Sequence, residues 1–244
     1  MKKIILYLFL SAVTFNLSAQ GLDKTYKTFD LAVGAGKIGF SPAISFTQLW
    51  GFGKANRLKI GYMARITPYF GGETNFRTAP AKFTSGTSSF SALFADDIVA
   101  NIDTFRVKSF QTFAVNIGVV IQYAISNKLE VGFNIDATGK TWGTTVTGDL
   151  ISIRNKRKFQ DGSKTSDANP ETWNFLLVSD SDIGSLNSEI YARYWITNKI
   201  GIRAGASFQF VELTTEKKVE INGRLNDTWR SKSLMPIVAV SYKF

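Results

Sequence analysis

Eight charged residues occupy alternate positions within otherwise apolar stretches: Asp30, Lys59, Arg65, Glu130, Asp136, Glu189, Arg193 and Arg203. Carboxylates on one strand face, such as Glu130 and Asp136, could exchange protons, and a line of mixed charges could pass an ion or solute. The chain has no His and no Cys, which removes Ser-His-Asp and Cys-His triads, His-ligated zinc, thiolate chemistry and disulfides. A Ser-Lys or paired-carboxylate mechanism survives that exclusion. A wall of balanced charges accounts for the same residues without catalysis, so we expect no enzyme, no metal and no cofactor.

Three further motifs were weighed. Gly34-Ala35-Gly36-Lys37-Ile38-Gly39 has the G-x-G-x-x-G spacing, but Phe40-Ser41-Pro42 leads into a strand pattern where a nucleotide site needs a helix. We therefore expect an outer turn. Gly139-Lys140-Thr141 lacks the earlier glycine of a phosphate loop, since Asn134 stands there. Arg154, Lys156, Arg157 and Lys158 form a basic cluster in a long connection. It is either a solvated loop or a contact for lipopolysaccharide phosphates.

The elements that must position these groups are strands. Leu58, Ile60, Tyr62, Ala64, Ile66, Pro68 and Phe70 alternate with Lys59, Gly61, Met63, Arg65 and Thr67. The same period-2 pattern runs through Phe113–Tyr123, Leu129–Asp136, Glu189–Ile196, Ile200–Phe210 and Leu234–Phe244. Phe29–Ala35 and Ala43–Trp50 are weaker. This predicts about eight antiparallel strands with apolar residues on one face and charges on the other. Connections alternate too. Gly51–Asn56, Ser126–Lys128 and Asn198–Lys199 are short, whereas Gly71–Arg106, Thr141–Asn187 and Glu216–Ser231 are long and expected to be partly hairpin extensions. The segments Thr144–Ile153 and Trp173–Val178 would raise the strand number to ten if they crossed a membrane, but they lie close to charges. Inward glycines, among them Gly132 and Gly201, would make room for long side chains. Tyr62, Tyr69, Phe70, Tyr123, Tyr194, Trp195 and Tyr242 are candidates for interfacial aromatic belts.

At the N-terminus, Lys2 and Lys3 precede an uncharged apolar run from Ile4 to Phe15, and Leu17-Ser18-Ala19 supplies a cleavage region. That order predicts a secretory signal peptide over 1–19 and a single domain over 20–244. The net charge of +10 calls for an anionic neighbour. Export makes that neighbour a lipid surface and not nucleic acid.

With this organisation, and with Pro236–Phe244 alternating to a terminal aromatic, the chain resembles the small bacterial outer-membrane β-barrels of the OmpA-transmembrane and OmpX type, in a Bacteroidetes-type setting. The resemblance spans roughly Phe29 to Phe244. It implies a closed, antiparallel, up-and-down transmembrane β-barrel of eight strands, with both termini periplasmic and the long loops outside the cell. It further implies that Val238, Val240, Tyr242 and Phe244 present the signal read by the barrel-assembly machinery. Enzymes of this class generally rely on a His, which this chain lacks. The role implied is structural or surface-interacting, with outer-membrane lipid, lipopolysaccharide and an envelope or extracellular protein as partners. A narrow solute channel, an accessory subunit of a secretion or assembly complex, and a soluble lipocalin-like barrel are the alternatives. The last would turn its apolar residues inward.

Overall fold

A computed structural model describes residues 22–86, 96–177 and 181–244. The proposed signal peptide, 1–19, lies outside them. Strands predominate among the described residues: β1 (Thr25–Ala35), β2 (Gly39–Phe52), β3 (Leu58–Gly71), β4 (Thr74–Thr78), β5 (Thr104–Val107), β6 (Phe110–Ala124), β7 (Leu129–Gly143), β8 (Val146–Ile151), β9 (Thr165–Pro170), β10 (Trp173–Phe175), β11 (Leu186–Trp195), β12 (Ile200–Ile221) and β13 (Arg224–Lys243). No described helix is long and apolar enough to cross a membrane.

All thirteen strands join one antiparallel sheet, so the expected strand number of about eight is too small. The pairings explain the excess. Eight strands pair in a closed circuit, β1-β2-β3-β6-β7-β11-β12-β13 and back to β1. We call this the main ring. Four further strands pair in the order β4-β5-β8-β9, and close on the far ends of β12 and β13 to make a small ring of six. The short β10 pairs with the upper part of β7. The long connections after β3 and β7 thus carry the strands β4, β5, β8 and β9 of the small ring. Thr144–Ile153 supplies β8 there, and the Trp173–Val178 segment, whose Val178 lies outside the described residues, supplies β10 at Trp173–Phe175; neither adds a strand to the main circuit.

The β12–β13 hairpin belongs to both rings, which is why these strands run to 22 and 20 residues. The Glu216–Ser231 loop expected from sequence is the far end of this hairpin. It closes at Asn222-Gly223, both at positive φ (50° and 72°), the two-residue turn whose twist matches that of paired strands. The short turns and Phe244 gather at the opposite end, where the Phe244 N–H donates to the Lys27 carbonyl. The Gly34–Gly39 segment is the tight β1–β2 turn, closed by Gly36 N–H donating to Gly39 O at 2.8 Å.

Burial follows the strand period but with opposite sense in the two rings. On the main ring the outward positions are apolar and exposed: Phe29, Leu31 and Val33 on β1, Ile60 and Ile66 on β3, Phe113 to Tyr123 on β6, Ile190 on β11, Ile202 and Phe208 on β12, Leu234 to Tyr242 on β13. Inward positions are buried and largely polar, with two small apolar clusters among them, Tyr26, Leu49, Met63, Val120 and Trp195, and Ala32, Ala43 and Ala239. On the small ring, Phe76, Phe105, Leu150, Phe159, Leu213, Val219, Ile221 and Trp229 point inward and form one apolar cluster. Its outward face is polar, with Asn75, Arg106, Thr147, Asp149 and Asp167 exposed.

Candidate functional site

The main-ring interior holds the strongest concentration of chemistry-bearing groups, and the eight charged residues singled out from sequence all lie in it. None is more than 3% exposed. They arise from the inward phase of β1, β3, β7, β11 and β12, and they meet across the lumen in two nodes.

In one node, Arg65 faces Asp136 at 2.5 Å and Glu189 at 2.9 Å. Its guanidinium also donates to the Asn134 side chain at 3.2 Å and the Asn187 carbonyl at 2.8 Å. Asp136 accepts from the Asn116 amide and the Asn187 N–H. Glu189 accepts from Arg203 at 2.7 Å and from Asn134 at 2.8 Å. A β-bulge at Ala137 shifts the register between Ile117↔Thr138 and Gly118↔Asp136, and keeps Asp136 inward below the shift.

In the other node, Arg193 grips both oxygens of Asp30, at 3.1 and 2.9 Å. Glu130 accepts from Lys59 at 3.3 Å, from the Tyr26 hydroxyl and from the Trp195 indole at 2.9 Å. Gln122 joins the halves: its amide donates to the Tyr26 oxygen, and its carbonyl accepts from Tyr191 and Arg193. Arg203 lies 4.8 Å from the Tyr191 ring centre and Lys59 4.1 Å from that of Tyr26. Gly132 makes space for Tyr191, since a Cβ there would come within 2.5 Å of its ring.

Four cations and four carboxylates balance in this set, and each charge has at least one opposite partner within 4 Å. Removing such groups from water costs several kcal/mol per ion unless partners and hydrogen bonds replace it. Here they do. A cavity of 210 Å³ is lined by residues of the small-ring side such as Asn75, Arg77 and Pro80, and one of 130 Å³ by Asn127, Trp195, Thr197 and Lys243; neither is lined by any of the eight residues. The arrangement fills space and fixes strand positions. No described group of His, Cys, Asp and Glu could hold a metal ion.

Several participants escaped the sequence reading. Tyr26 lies before the expected start of β1, although the alternation of Thr25, Tyr26, Lys27, Thr28 was there to be followed. Asn174 is fully buried, donating to Asn116 and accepting from Thr141, but sits in a supposed loop. Glu212 pairs with Arg230 at 2.7 Å where the two rings meet, two residues past Phe210. Burial pushes the Glu212 carboxyl above its ordinary range, against the pull of Arg230 and the Gly184 N–H. Of the belt candidates, Trp195 and Tyr69 are corrected: both are buried, Trp195 on Glu130 and Tyr69 stacked on Phe110. Tyr62, Phe70, Tyr123, Tyr194 and Tyr242 are exposed outward. Other outward rings pair near either rim, Phe40 with Phe70 and Phe113 with Trp142 at one, Trp50 with Tyr62 and Tyr242 with Phe244 at the other.

The remaining sequence candidates lie elsewhere. Val238, Val240, Tyr242 and Phe244 are exposed on the outward face of β13, beside the seam where β1 closes the circuit. The basic cluster lies next to the far end of the small ring, where Phe159 bridges to Val219. Arg154, Lys156 and Lys158 are exposed there. Arg157 is tied inward, to Asp103 at 2.9 Å and the Ala100 carbonyl.

Several solved structures are similar to this chain in fold. They include Neisserial surface protein A (13% identity, TM-score 0.42, covering 92% of this chain and 100% of that one). They also include Ail, the attachment invasion locus protein of Yersinia pestis (9%, 0.36, 91% and 100%), and the outer membrane protein OprG from Pseudomonas aeruginosa (12%, 0.38, 93% and 98%). No protein-family model and no curated protein sequence matches the chain.

Proposed function

We propose that this chain is an outer-membrane β-barrel whose main ring spans the membrane, filled and non-conducting, and whose small ring stands outside the cell as a surface-interaction platform. The supporting observation is the inverted burial of the main ring. Its outward face, from Phe29 through Tyr242, is an apolar band that carries Lys140, opposite Val115, toward the long-loop rim, and its eight paired ions are inside. Soluble monomers rarely expose apolar patches beyond a few hundred Å². In hydrocarbon the sense is reversed, and closure leaves no strand edge unpaired. On β13 the band runs from Leu234 to Phe244, and a tilted strand of about 9–11 residues matches a membrane.

In this reading the chain is exported through the 1–19 segment, with its termini and short turns in the periplasm. Val238, Val240, Tyr242 and Phe244 are recognised during insertion by the assembly machinery. Arg154, Lys156 and Lys158 face anionic groups outside. Their neighbour Val219 is opposite Asn226, eight residues beyond Leu234 on β13. At a rise of about 3.3 Å per residue that is roughly 26 Å along the strand. The cluster therefore addresses phosphorylated core sugars of lipopolysaccharide or an acidic envelope or extracellular protein, above the level of lipid phosphates.

The test is electrophoretic mobility of the detergent-extracted protein with and without boiling, followed by planar-bilayer recording. A heat-dependent shift and no steady conductance are expected. Solubility without detergent would overturn the membrane reading, and a stable ohmic current would overturn the filled lumen.

A further inference from the structure

One apolar surface belongs neither to the main-ring band nor to the small-ring core. Beyond the bulge at Ala137, the outward face of β7 carries Thr138, Lys140 and Trp142, and β10 pairs with it: Trp173↔Lys140, Asn174↔Gly139, Phe175↔Thr138. β7 climbs away from the short-turn end, so the antiparallel β10 runs back down toward the apolar band. Leu176 continues that course, its N–H donating to Ala137 O at 2.8 Å. Ile183 then returns beside Phe175, the two exchanging backbone hydrogen bonds at 3.0 Å.

This segment is held firmly from inside. Asn174 is anchored by Asn116, Thr141 and the Ser185 N–H, and the Leu177 N–H donates to the Asp182 carboxylate at 2.7 Å. Yet its apolar side chains point away from the protein. Trp173 is 50% exposed, Phe175 42%, Leu177 48%, and Leu176 and Ile183 are exposed with them. Trp173 stacks along Phe175, and Lys140 lies 4.0 Å over the Trp173 ring. The patch is continuous with the band through Trp142, whose ring centre is 6.2 Å from that of Phe113. The outward face of the small ring carries nothing comparable: Thr147, Asp149, Thr165 and Asp167 line it and bond one another.

We propose that Trp173, Phe175, Leu176, Leu177 and Ile183 seat in the outer leaflet, forming a one-sided collar that holds the β7–β11 side of the molecule against lipid. The occupant is lipid because the patch extends a lipid-facing band. Its edge also has the interfacial pattern, an indole stacked along a phenyl ring with a lysine ammonium over it. The proposal rests on the membrane reading above.

The absence of native cysteine makes the test direct. Leu177→Cys, Leu176→Cys, Ile117→Cys and Ile153→Cys are labelled singly with an environment-sensitive fluorophore. Each is reconstituted in vesicles containing lipids brominated at shallow or deep acyl positions, after the heat-dependent gel shift has established folding. Ile117 marks the middle of the β6 band and Ile153, 86% exposed, marks the far end of the small ring. Through Thr138, Phe175 is in register with Ile117, so the expected result is blue-shifted emission quenched by brominated lipid at 176, 177 and 117, and no quenching at 153. Quenching at 117 with water-like, unquenched emission at both 176 and 177 would overturn the collar and leave the membrane reading standing. No quenching at 117 would overturn both.

Discussion

The two rings are built from one sheet and share one hairpin, yet they are packed inside out with respect to each other. Along β12 the inward phase reads Gly201, Arg203, Gly205, Ser207, Gln209 in the main ring, then Val211, Leu213, Val219 and Ile221 in the small one. Outward, Ile202 and Phe208 give way to Glu216, Lys218 and Glu220. The strand, its twist and its partner β13 continue through the change. In the proposed membrane setting, what changes is the surroundings. Against water, burying apolar area contributes about 25 cal/mol per Å² and draws Trp229, Phe105 and Leu213 inward. Against acyl chains that driving force is absent, so ion pairs and hydrogen bonds fill the lumen while Ile60, Ile117 and Ile202 face out. The Glu212–Arg230 pair and Phe210 sit at the changeover, with Arg230 4.7 Å over the Phe210 ring. The hairpin therefore marks on its own residues where the packing sense reverses, which the membrane proposal reads as the boundary between lipid and water.

That contrast can be broken most sharply from inside. Replacing Arg65→Leu leaves Asp136 unpaired in the lumen and should cost roughly 3–5 kcal/mol, partly recovered by adding Asp136→Asn. Urea unfolding of the main ring in detergent, followed by loss of the gel shift, measures it. Little difference between the single and double variants would mean that the pair is not what holds the lumen. In the small ring the equivalent lesion is a cavity. Trp229→Ala should cost about 3–5 kcal/mol and expose that ring to protease while the main ring keeps its heat-dependent mobility. Simultaneous loss of both would show that the rings fold as one unit.

The outward faces offer a gentler comparison. Ile202→Arg on the main ring should cost roughly 2–4 kcal/mol in a bilayer, whereas Thr147→Arg on the small ring should stay within about 0.5 kcal/mol. Equal effects would erase the difference in solvent. The smallest expected effect is a pH slope. The folded pKa of Glu212 lies above its ordinary value of 4.5. Its contribution to stability is therefore whole below that value and is lost as pH rises through the folded one. Glu212→Gln should flatten this slope in the denaturant midpoint of the small ring measured from acid to neutral pH.

The period-2 pattern alone determined a great deal: eight stretches of alternation, which residues share a face, and the eight charges that meet in the lumen. It could do so because strand geometry places alternate side chains on opposite faces whatever the strand pairs with. Phe76 between Asn75 and Arg77, or Phe105 between Thr104 and Arg106, carried the same pattern in pieces of only five and four residues. Such fragments read as loop, because a short strand is defined by its neighbours and not by its own sequence. The tertiary structure alone decided that these pieces close a second ring on the ends of β12 and β13. It also decided that Arg65, distant in sequence from Asp136 and Glu189, reaches both across the lumen, since contacts made by ring closure join residues that no local pattern relates.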